Sequence, residues 1–226
     1  MTCCFVNVAF REHYHELQKR LRLSLLNEGY RGKMFFFDTI PPGCPPHKGG
    51  IPYAFKLHAM KQAHEKFHPR VLIWVDAPLF AIRPVQPLID RIVDEGYFLT
   101  SEETEVGPWC ADSALRPLGI TRELSFLIPM LKAGLVGLDM ENETSREFFS
   151  EWYRHATREV TFLGPWNNRD GFASEDSRVK GHRHDQTAGS VIAWKLGMKL
   201  TNPPDIFSYC PKNADKRTVF VCRGGR

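Results

Sequence analysis

The sequence predicts an α/β protein whose central, mostly parallel sheet is flanked by helices. Two runs, Lys33 to Asp38 and Val71 to Asp76, are rich in apolar side chains and stop at an aspartate. Continuous apolar runs are typical of strands buried on both faces of a parallel sheet. These runs also alternate with helix-like amphipathic segments. That order indicates crossover connections between parallel strands.

The N-terminal part predicts three strands and two helices. The strands are expected at 3–10, 33–38 and 71–75, and the helices at 11–27 and 53–67. The first helix ends near Gly29, a residue that suits a helix stop. Residues 41–52 are rich in proline and glycine, which excludes regular structure between the second strand and the second helix.

The later part of the chain is less regular but continues the alternation. Helices are expected at 88–95, 145–157 and 185–196, and strands at 97–101, 135–138 and 218–222. Residues 109–119 read as a loop with a short helix. Residues 165–183 form a polar loop long enough to indicate either function or mobility.

Composition indicates one globular domain over residues 1–226. The chain is 42% hydrophobic and 25% charged, which is ample for a sizeable core, and no linker or internal repeat divides it. The net charge of +4 is mild and spread along the chain. Without a basic stripe or a pattern of stacking aromatics, we expect no nucleic-acid partner, although a small anion would be attracted.

The chain has six cysteines, at positions 3, 4, 44, 110, 210 and 222. They form no CxxC pair and no regular disulfide framework. No signal peptide is recognised, and no apolar run is long enough to span a membrane. We therefore expect a reduced, cytoplasmic setting and no membrane span.

Charged residues at strand ends and at the start of one helix are candidates for a ligand site. Asp38 and Asp76 end strands, and ligands of open α/β sheets bind at the carboxyl ends of strands. Lys56 lies in the first turns of the helix after the Pro/Gly loop, where it could meet a phosphate. The alternatives are that Asp76 only forms a turn or caps a helix, and that Lys56 lies on a solvated helix face.

A third cluster is Gly181 to Gln186, which places two histidines, an arginine, a carboxylate and an amide at a helix start. Helix N-termini attract anions, so this cluster favours a site around His184 and Asp185. The alternative is an aspartate N-cap with solvent-facing histidines. A zinc site formed by His182, His184 and a cysteine would lack a second ligand pair at structural-zinc spacing.

Three segments resemble the GT-A fold glycosyltransferases. Val71 to Phe80 resembles the segment that ends in their metal-binding Asp-x-Asp motif, and here too it follows a lysine-bearing helix. Ala133 to Asp139 is similar to the strand that lines their sugar site. The sequence His184-Asp185-Gln186 resembles an element near the reacting centre of small sugar transferases of bacteria and large viruses. The resemblance covers most of the chain in order.

The resemblance implies a Rossmann-like GT-A fold and transfer of a sugar from a nucleotide-diphosphate sugar, with a UDP-sugar favoured, to a hydroxyl of a carbohydrate or glycan acceptor. Residues 1–103 would bind the donor and 104–226 the acceptor. The residues expected at the donor are Phe10, Arg11 and Asp38 near the base, Lys56 and Asp76 at the diphosphate, and His184. Asp185 and Asp76 would be catalytic. An inverting enzyme would use Asp185 as its base, with Asp112 and Glu102 as second choices; a retaining enzyme would need no such base.

One departure concerns the metal. The motif here is Asp76-Ala77-Pro78, and the Pro78 side chain cannot ligate a metal. Either Asp76 binds Mn²⁺ or Mg²⁺ with help from elsewhere, such as Asp185 or a histidine, or the enzyme works without a metal.

Two other functions remain open. An Asp-dependent phosphotransferase or phosphatase also begins with an apolar strand that ends in aspartate, but such enzymes usually need a second aspartate where this chain has Pro78. A non-catalytic relic would bind a nucleotide-sugar and release no sugar.

Overall fold

The computed structural model describes residues 2–158, 160–201, 206–208 and 211–222, and the account below concerns these residues. Cys210 lies outside them. Within these ranges the strands are β1 Cys3–Val8, β2 Lys33–Phe37, β3 Val71–Val75, β4 Leu79–Ala81, β5 Tyr97–Phe98, β6 Ser101–Glu105, β7 Pro129–Leu131, β8 Leu135–Asp139, β9 Phe207–Ser208 and β10 Phe220–Cys222. The α-helices are α1 Glu12–Asn27, α2 Ala54–Phe67, α3 Gln86–Glu95, α4 Asp112–Leu118, α5 Arg122–Ser125, α6 Glu143–Thr157 and α7 His184–Lys195.

The central sheet has the strand order β2-β1-β3-β8-β5. β1 pairs in parallel with β2 and β3, whereas β8 runs antiparallel to both of its neighbours, β3 and β5. Strands β2, β1, β3 and β5 therefore point in one direction and only β8 is reversed. The predicted α/β class and mostly parallel sheet are confirmed.

Both faces of this sheet are covered, which explains why its strands are continuously apolar. Val6 and Trp74 lie in a core shared with α2, α6 and α7. Their chain neighbours Phe5, Ile73 and Val75 lie in a second core with α1 and α3. Successive side chains of a strand point to opposite faces, so each run must be hydrophobic at every position.

The predicted strand at 97–101 divides in two. β5 stays in the central sheet, whereas β6 pairs with β7 in a separate two-stranded sheet. The division occurs where Leu99 O accepts a hydrogen bond from Thr201 N, and Ser101 N donates to Thr201 O. A pairing partner one hundred residues away in sequence leaves no local signal.

A third sheet, β4-β10-β9, packs on the second core and was predicted only at β10. β4 has three residues and β9 two, too short for a periodic pattern. In the described part of the chain, no helix is both long and apolar enough to cross a membrane. Cys3, Cys4, Cys44, Cys110 and Cys222 are free thiols; the cytoplasmic setting stays a prediction.

Candidate active site

A cleft lies at the carboxyl ends of β1 and β3, beside the beginning of α2. Its volume is about 130 Å³, and it opens to solvent. The lining combines aromatic side chains with a few charged ones, among them Phe10, Arg11, Tyr14, His47, Tyr53, Lys56, Trp74 and Asp76. The cleft is therefore where the strand-end rule places a ligand.

An ion cluster closes the inner end of this cleft. Lys56 Nζ lies 3.0 Å from Asp185 Oδ2 and 3.3 Å from Asp76 Oδ1. It also donates a hydrogen bond of 3.0 Å to the carbonyl oxygen of Ala133, just before β8. Four distant segments of the chain thus meet at one ammonium group. We call Lys56, Asp76 and Asp185 the ion triad.

Local structure places each member of the ion triad. Lys56 is in the first turn of α2, and Asp76 directly follows β3. Asp185 is in the first turn of α7, where the helix dipole favours a negative charge. Asp76 N donates to the carbonyl oxygen of Gly134, so the end of β3 is fastened to the beginning of β8.

The members of the ion triad differ in exposure. The side chains of Lys56 and Asp185 are 6% and 4% exposed, whereas that of Asp76 is 37% exposed and faces the cleft.

Burial alone would lower the pKa of Lys56, but Asp185 and Asp76 together raise it above its usual value. Lys56 therefore stays protonated. Burial raises the pKa of Asp185, and Lys56 opposes that shift.

The orientation of Asp76 is fixed by Trp74, which lies two residues earlier in β3. Trp74 Nε1 donates a hydrogen bond of 2.8 Å to Asp76 Oδ1, the oxygen that also faces Lys56. Trp74 itself is 1% exposed, so its indole is held by the core. The carboxylate consequently has one oxygen committed to the protein and the other available to the cleft.

Two strained residues bring aromatic rings to the ion triad. Tyr53, before α2, has φ 61°, and His184, the first residue of α7, has φ 43°. Their rings stack at 5.4 Å, and Lys56 Nζ lies 5.6 Å from the centre of the Tyr53 ring. Left-handed backbone at residues with side chains costs roughly 1–3 kcal/mol and is concentrated at functional sites.

The predicted site residues are brought together in part. Phe10 and Arg11 line the cleft with Lys56 and Asp76. His184 does not line it, because it is 5% exposed and its Nδ1 lies 2.9 Å from the carbonyl oxygen of Phe162. The predicted roles of Phe10, Arg11, Lys56, Asp76 and His184 in binding the donor stay predictions.

Three other candidates lie outside the ion triad. Asp38 is exposed and is not among the residues that line the cleft. Asp112 pairs with Arg122, and Glu102 accepts a hydrogen bond from Gln186.

Sequence reasoning missed several aromatic residues of the cleft. Tyr14, His47, Tyr53 and Trp74 line it and were not singled out. Their aromatic character was visible in the sequence, but the left-handed backbone at Tyr53 was not. His47 lies in the Pro/Gly-rich loop, and its Nδ1 accepts a hydrogen bond of 3.1 Å from Tyr53 N.

The donor set does not fit a metal centre held by the protein alone. Over the described ranges, no group of three or more His, Cys, Asp or Glu side chains could hold a metal ion. One oxygen of Asp76 is already engaged by Trp74 and Lys56, and Asp185 is paired with Lys56. Mn²⁺ or Mg²⁺ at Asp76 stays a prediction, and no step below depends on it.

His182 has a structural role beside the ion triad. Its Nδ1 accepts a hydrogen bond of 3.2 Å from Ala111 N, and its Nε2 lies 3.1 Å from the carbonyl oxygen of Thr161. The ring must therefore be neutral, with its proton on Nε2. Burial and the neighbouring His184 lower the pKa of His182 to about 3. The buried ring joins three segments only in its uncharged form.

This burial predicts acid lability. The unfolded chain protonates His182 below about pH 6.5 and the folded chain does not, so stability should fall with decreasing pH by about 1.4 kcal/mol per unit. We expect His182→Gln, which cannot be protonated, to reduce this slope by about that amount between pH 6 and 4.5. Urea unfolding across this range measures it. His13→Gln, on the exposed face of α1, is the control, and an unchanged slope in His182→Gln would contradict the prediction.

Comparisons with known proteins give structural likeness only. No protein-family model matches the chain, and no curated protein matches its sequence. A glycosyltransferase involved in the glycosylation of the major capsid of PBCV-1 aligns with TM-score 0.54 and 13% identity, covering 100% of this chain and 96% of that one. Mouse xyloside xylosyltransferase 1 aligns with TM-score 0.54 and 10% identity, covering 99% and 98%.

A third structure, the bifunctional glycosyltransferase WbbM, aligns with TM-score 0.52 and 9% identity over 100% of this chain and 46% of that one. The PBCV-1 and mouse structures are matched over nearly their whole lengths. The chain therefore has the GT-A glycosyltransferase fold, as the sequence resemblance implied. Structural alignments at such low sequence identity establish the fold but not the activity. The activity has to be argued from the chemistry of the site.

Proposed function

We propose that this protein is a glycosyltransferase that moves a sugar from a nucleotide-diphosphate sugar, a UDP-sugar by preference, to an acceptor hydroxyl. The observation that carries the proposal is the ion triad at the inner end of a cleft in a GT-A fold. An ammonium group at the ends of β1 and β3 suits a diphosphate, whose negative charge increases as the sugar leaves. Asp76 keeps this ammonium oriented from the open side of the cleft.

The cleft has separate regions for the two ends of the donor. Phe10 and Arg11 lie at the end of β1, and the Arg11 guanidinium lies 5.6 Å from the centre of the Phe10 ring. His47 and Phe55 pack within 5.5 and 5.2 Å of that ring. Apolar rings with one cation suit a nucleotide base and its sugar. The diphosphate would then lie at the inner end, where Lys56 supplies positive charge and where Asp76 would face it through a bound metal ion.

The proposed step is a single displacement at the anomeric carbon. The bond from that carbon to the diphosphate oxygen breaks, and the leaving diphosphate keeps the electron pair. The acceptor oxygen forms the new bond, and its proton passes to Asp185. Burial raises the pKa of this carboxylate above its usual value, and a raised pKa suits a general base. Asp185 Oδ2 is buried and paired with Lys56, and Asp185 does not line the cleft, so the acceptor hydroxyl would reach this oxygen only if the side chains around it move apart when substrates bind.

Asp185→Asn tests this role. We expect kcat to fall by about a hundredfold or more, with little change in donor KM, because the base is lost and the shape is kept. The wild-type rate should fall as pH decreases through the pKa of Asp185, and the variant should lack this acid limb. Asp94→Asn, the same change at an exposed position of α3, is the control.

The anomeric configuration of the product tests whether Asp185 acts as a general base. NMR of the product should show inversion at the anomeric carbon, since retention needs no such base. Retention, or an unchanged rate and acid limb in Asp185→Asn, would leave Asp185 as a helix cap and a partner of Lys56.

The first experiment is calorimetric titration with UDP, GDP and dTDP, with and without Mn²⁺. Tight binding of one nucleotide supports the proposal and identifies the donor class, and its dependence on Mn²⁺ tests the metal at Asp76. Release of sugar from the matching donor separates an enzyme from a relic that only binds. Failure of all three nucleotides to bind would overturn the proposal and favour the phosphotransferase alternative.

A further inference from the structure

An arginine is held between two tryptophans next to the ion triad. The guanidinium carbon of Arg183 lies 3.8 Å from the centre of the Trp109 ring and 3.9 Å from that of Trp166. Arg183 Nη1 also donates to the carbonyl oxygens of Trp166, at 2.6 Å, and of His182, at 3.3 Å. Although Arg183 covers one face of its ring, Trp166 remains 47% exposed. We call Trp109, Arg183 and Trp166 the Trp-Arg-Trp stack.

The loop that carries Trp166 is fastened to the body of the protein. The Asn168 side chain donates to the carbonyl oxygens of Ser174 and Val179 and accepts from two backbone N–H groups. His182 N donates to the carbonyl oxygen of Pro165 at 2.9 Å. At Gly181 a Cβ would collide with the Trp166 carbonyl, so only glycine permits this approach. Trp166 is therefore exposed and fixed in position.

The exposed ring continues an aromatic wall that leads to the ion triad. Trp166 lies 5.9 Å from His184 and 6.3 Å from Tyr53, and its plane is within 31° of both rings. Tyr53 and His184 are the two strained residues beside Lys56 and Asp185. Of the three rings, only Tyr53 borders the donor cleft. Trp166 thus lies next to Tyr53 but outside the lining of that cleft.

Polar side chains lie beside the aromatic wall formed by Trp166, His184 and Tyr53. Arg183 uses Nη1 for the two backbone carbonyls, and within the described residues its Nε and Nη2 donate to no protein acceptor. Glu102 is near enough to Arg183 to influence its pKa, and its carboxylate accepts a hydrogen bond of 3.2 Å from Gln186. The side chain of Glu102 is 28% exposed. An exposed ring bordered by free donors and a carboxylate suits a ligand with one apolar face and a polar edge.

We propose that Trp166, held by Arg183, is the acceptor subsite and that it takes a pyranose ring of a carbohydrate acceptor. The C–H groups on one face of the sugar would pack on the exposed indole, and its hydroxyls would reach Arg183 and Glu102. This inference rests on the proposed function. It places the sugar that receives the transferred group on residues 104–226. Arg183, which holds Trp166, directly precedes the helix that carries Asp185.

Binding can be tested without knowing the acceptor. Saturation-transfer NMR with the methyl glycosides of glucose, galactose, mannose, xylose, fucose and N-acetylglucosamine, in the presence of UDP, reports which ring protons touch the protein. We expect at least one glycoside to receive saturation on one face of its ring. Trp166→Ala should abolish this signal, and Trp166→Phe should retain part of it because a ring remains.

Phe172→Ala is the matched control, since Phe172 is a 79% exposed aromatic residue of the same loop. It should leave the signal unchanged, and UDP titration verifies that every variant keeps its donor cleft. Lack of transfer to all six glycosides, or an undiminished signal in Trp166→Ala, would overturn the subsite while leaving UDP binding intact. Failure of the wild type to bind any nucleotide is a different result and counts against the proposed function itself.

Discussion

Lys56→Met should have the largest effect on both stability and ligand binding. Methionine fills similar space but removes the charge that compensates Asp185 and Asp76. Removing one partner of a buried ion pair costs about 3–5 kcal/mol, because the remaining charge stays desolvated. We expect a loss of this size in urea unfolding at pH 8, together with loss of measurable UDP binding.

The loss should depend on pH in a definite direction. Without Lys56, burial holds the pKa of Asp185 above that in the unfolded chain, so the folded variant binds a proton more readily. Stability is then greater at low pH and decreases as pH rises through the raised pKa. The deficit of Lys56→Met relative to wild type should accordingly be smaller at pH 5 than at pH 8.

Lys61→Met is the control, since Lys61 lies on the same helix but pairs with Glu65 at the surface. It should cost at most about 1 kcal/mol. Asp185→Asn combined with Lys56→Met should be more stable than the two separate losses added together, because the buried charge has been removed. Equal, small losses for Lys56→Met and Lys61→Met would show that the ion triad is not a buried charge cluster.

Asp76→Asn should reduce turnover by about a hundredfold or more while leaving the fold intact. An asparagine Oδ1 can still accept the Trp74 hydrogen bond, and the side chain is already 37% exposed, so folding should lose little. What disappears is the negative charge that orients Lys56 and faces the cleft. Steady-state transfer or donor hydrolysis measures the rate, and thermal unfolding measures the fold.

Asp94→Asn is the control, because Asp94 is an exposed residue of α3. It measures how much turnover and thermal stability change when a surface carboxylate is neutralised. Full activity in Asp76→Asn would remove Asp76 from the mechanism and reduce it to a turn residue. A collapse of the fold instead of the rate would make it a structural member of the ion triad.

Much of the site follows from local pattern. A buried strand that ends in a carboxylate predicted Asp76, and a helix after a Pro/Gly loop predicted Lys56. Both lie in the cleft. The same reasoning placed Asp38 beside them, but Asp38 is exposed and outside the cleft lining. The pattern at the two strand ends is alike, and the difference arises from β2 being the edge strand while β3 is central.

The sequence by itself determined most of the longer elements, because periodicity and turn residues are local properties of the chain. The short strands β4, β7 and β9 left no such pattern. Only the tertiary structure decided which of them meet: the reversed β8, the departure of β6 from the central sheet, and the contact of Lys56 with Asp185. It also decided that Trp166 is held in place by Arg183 and Gly181. Such pairings depend on how distant faces pack, and that information is spread over the whole chain instead of residing in any one segment.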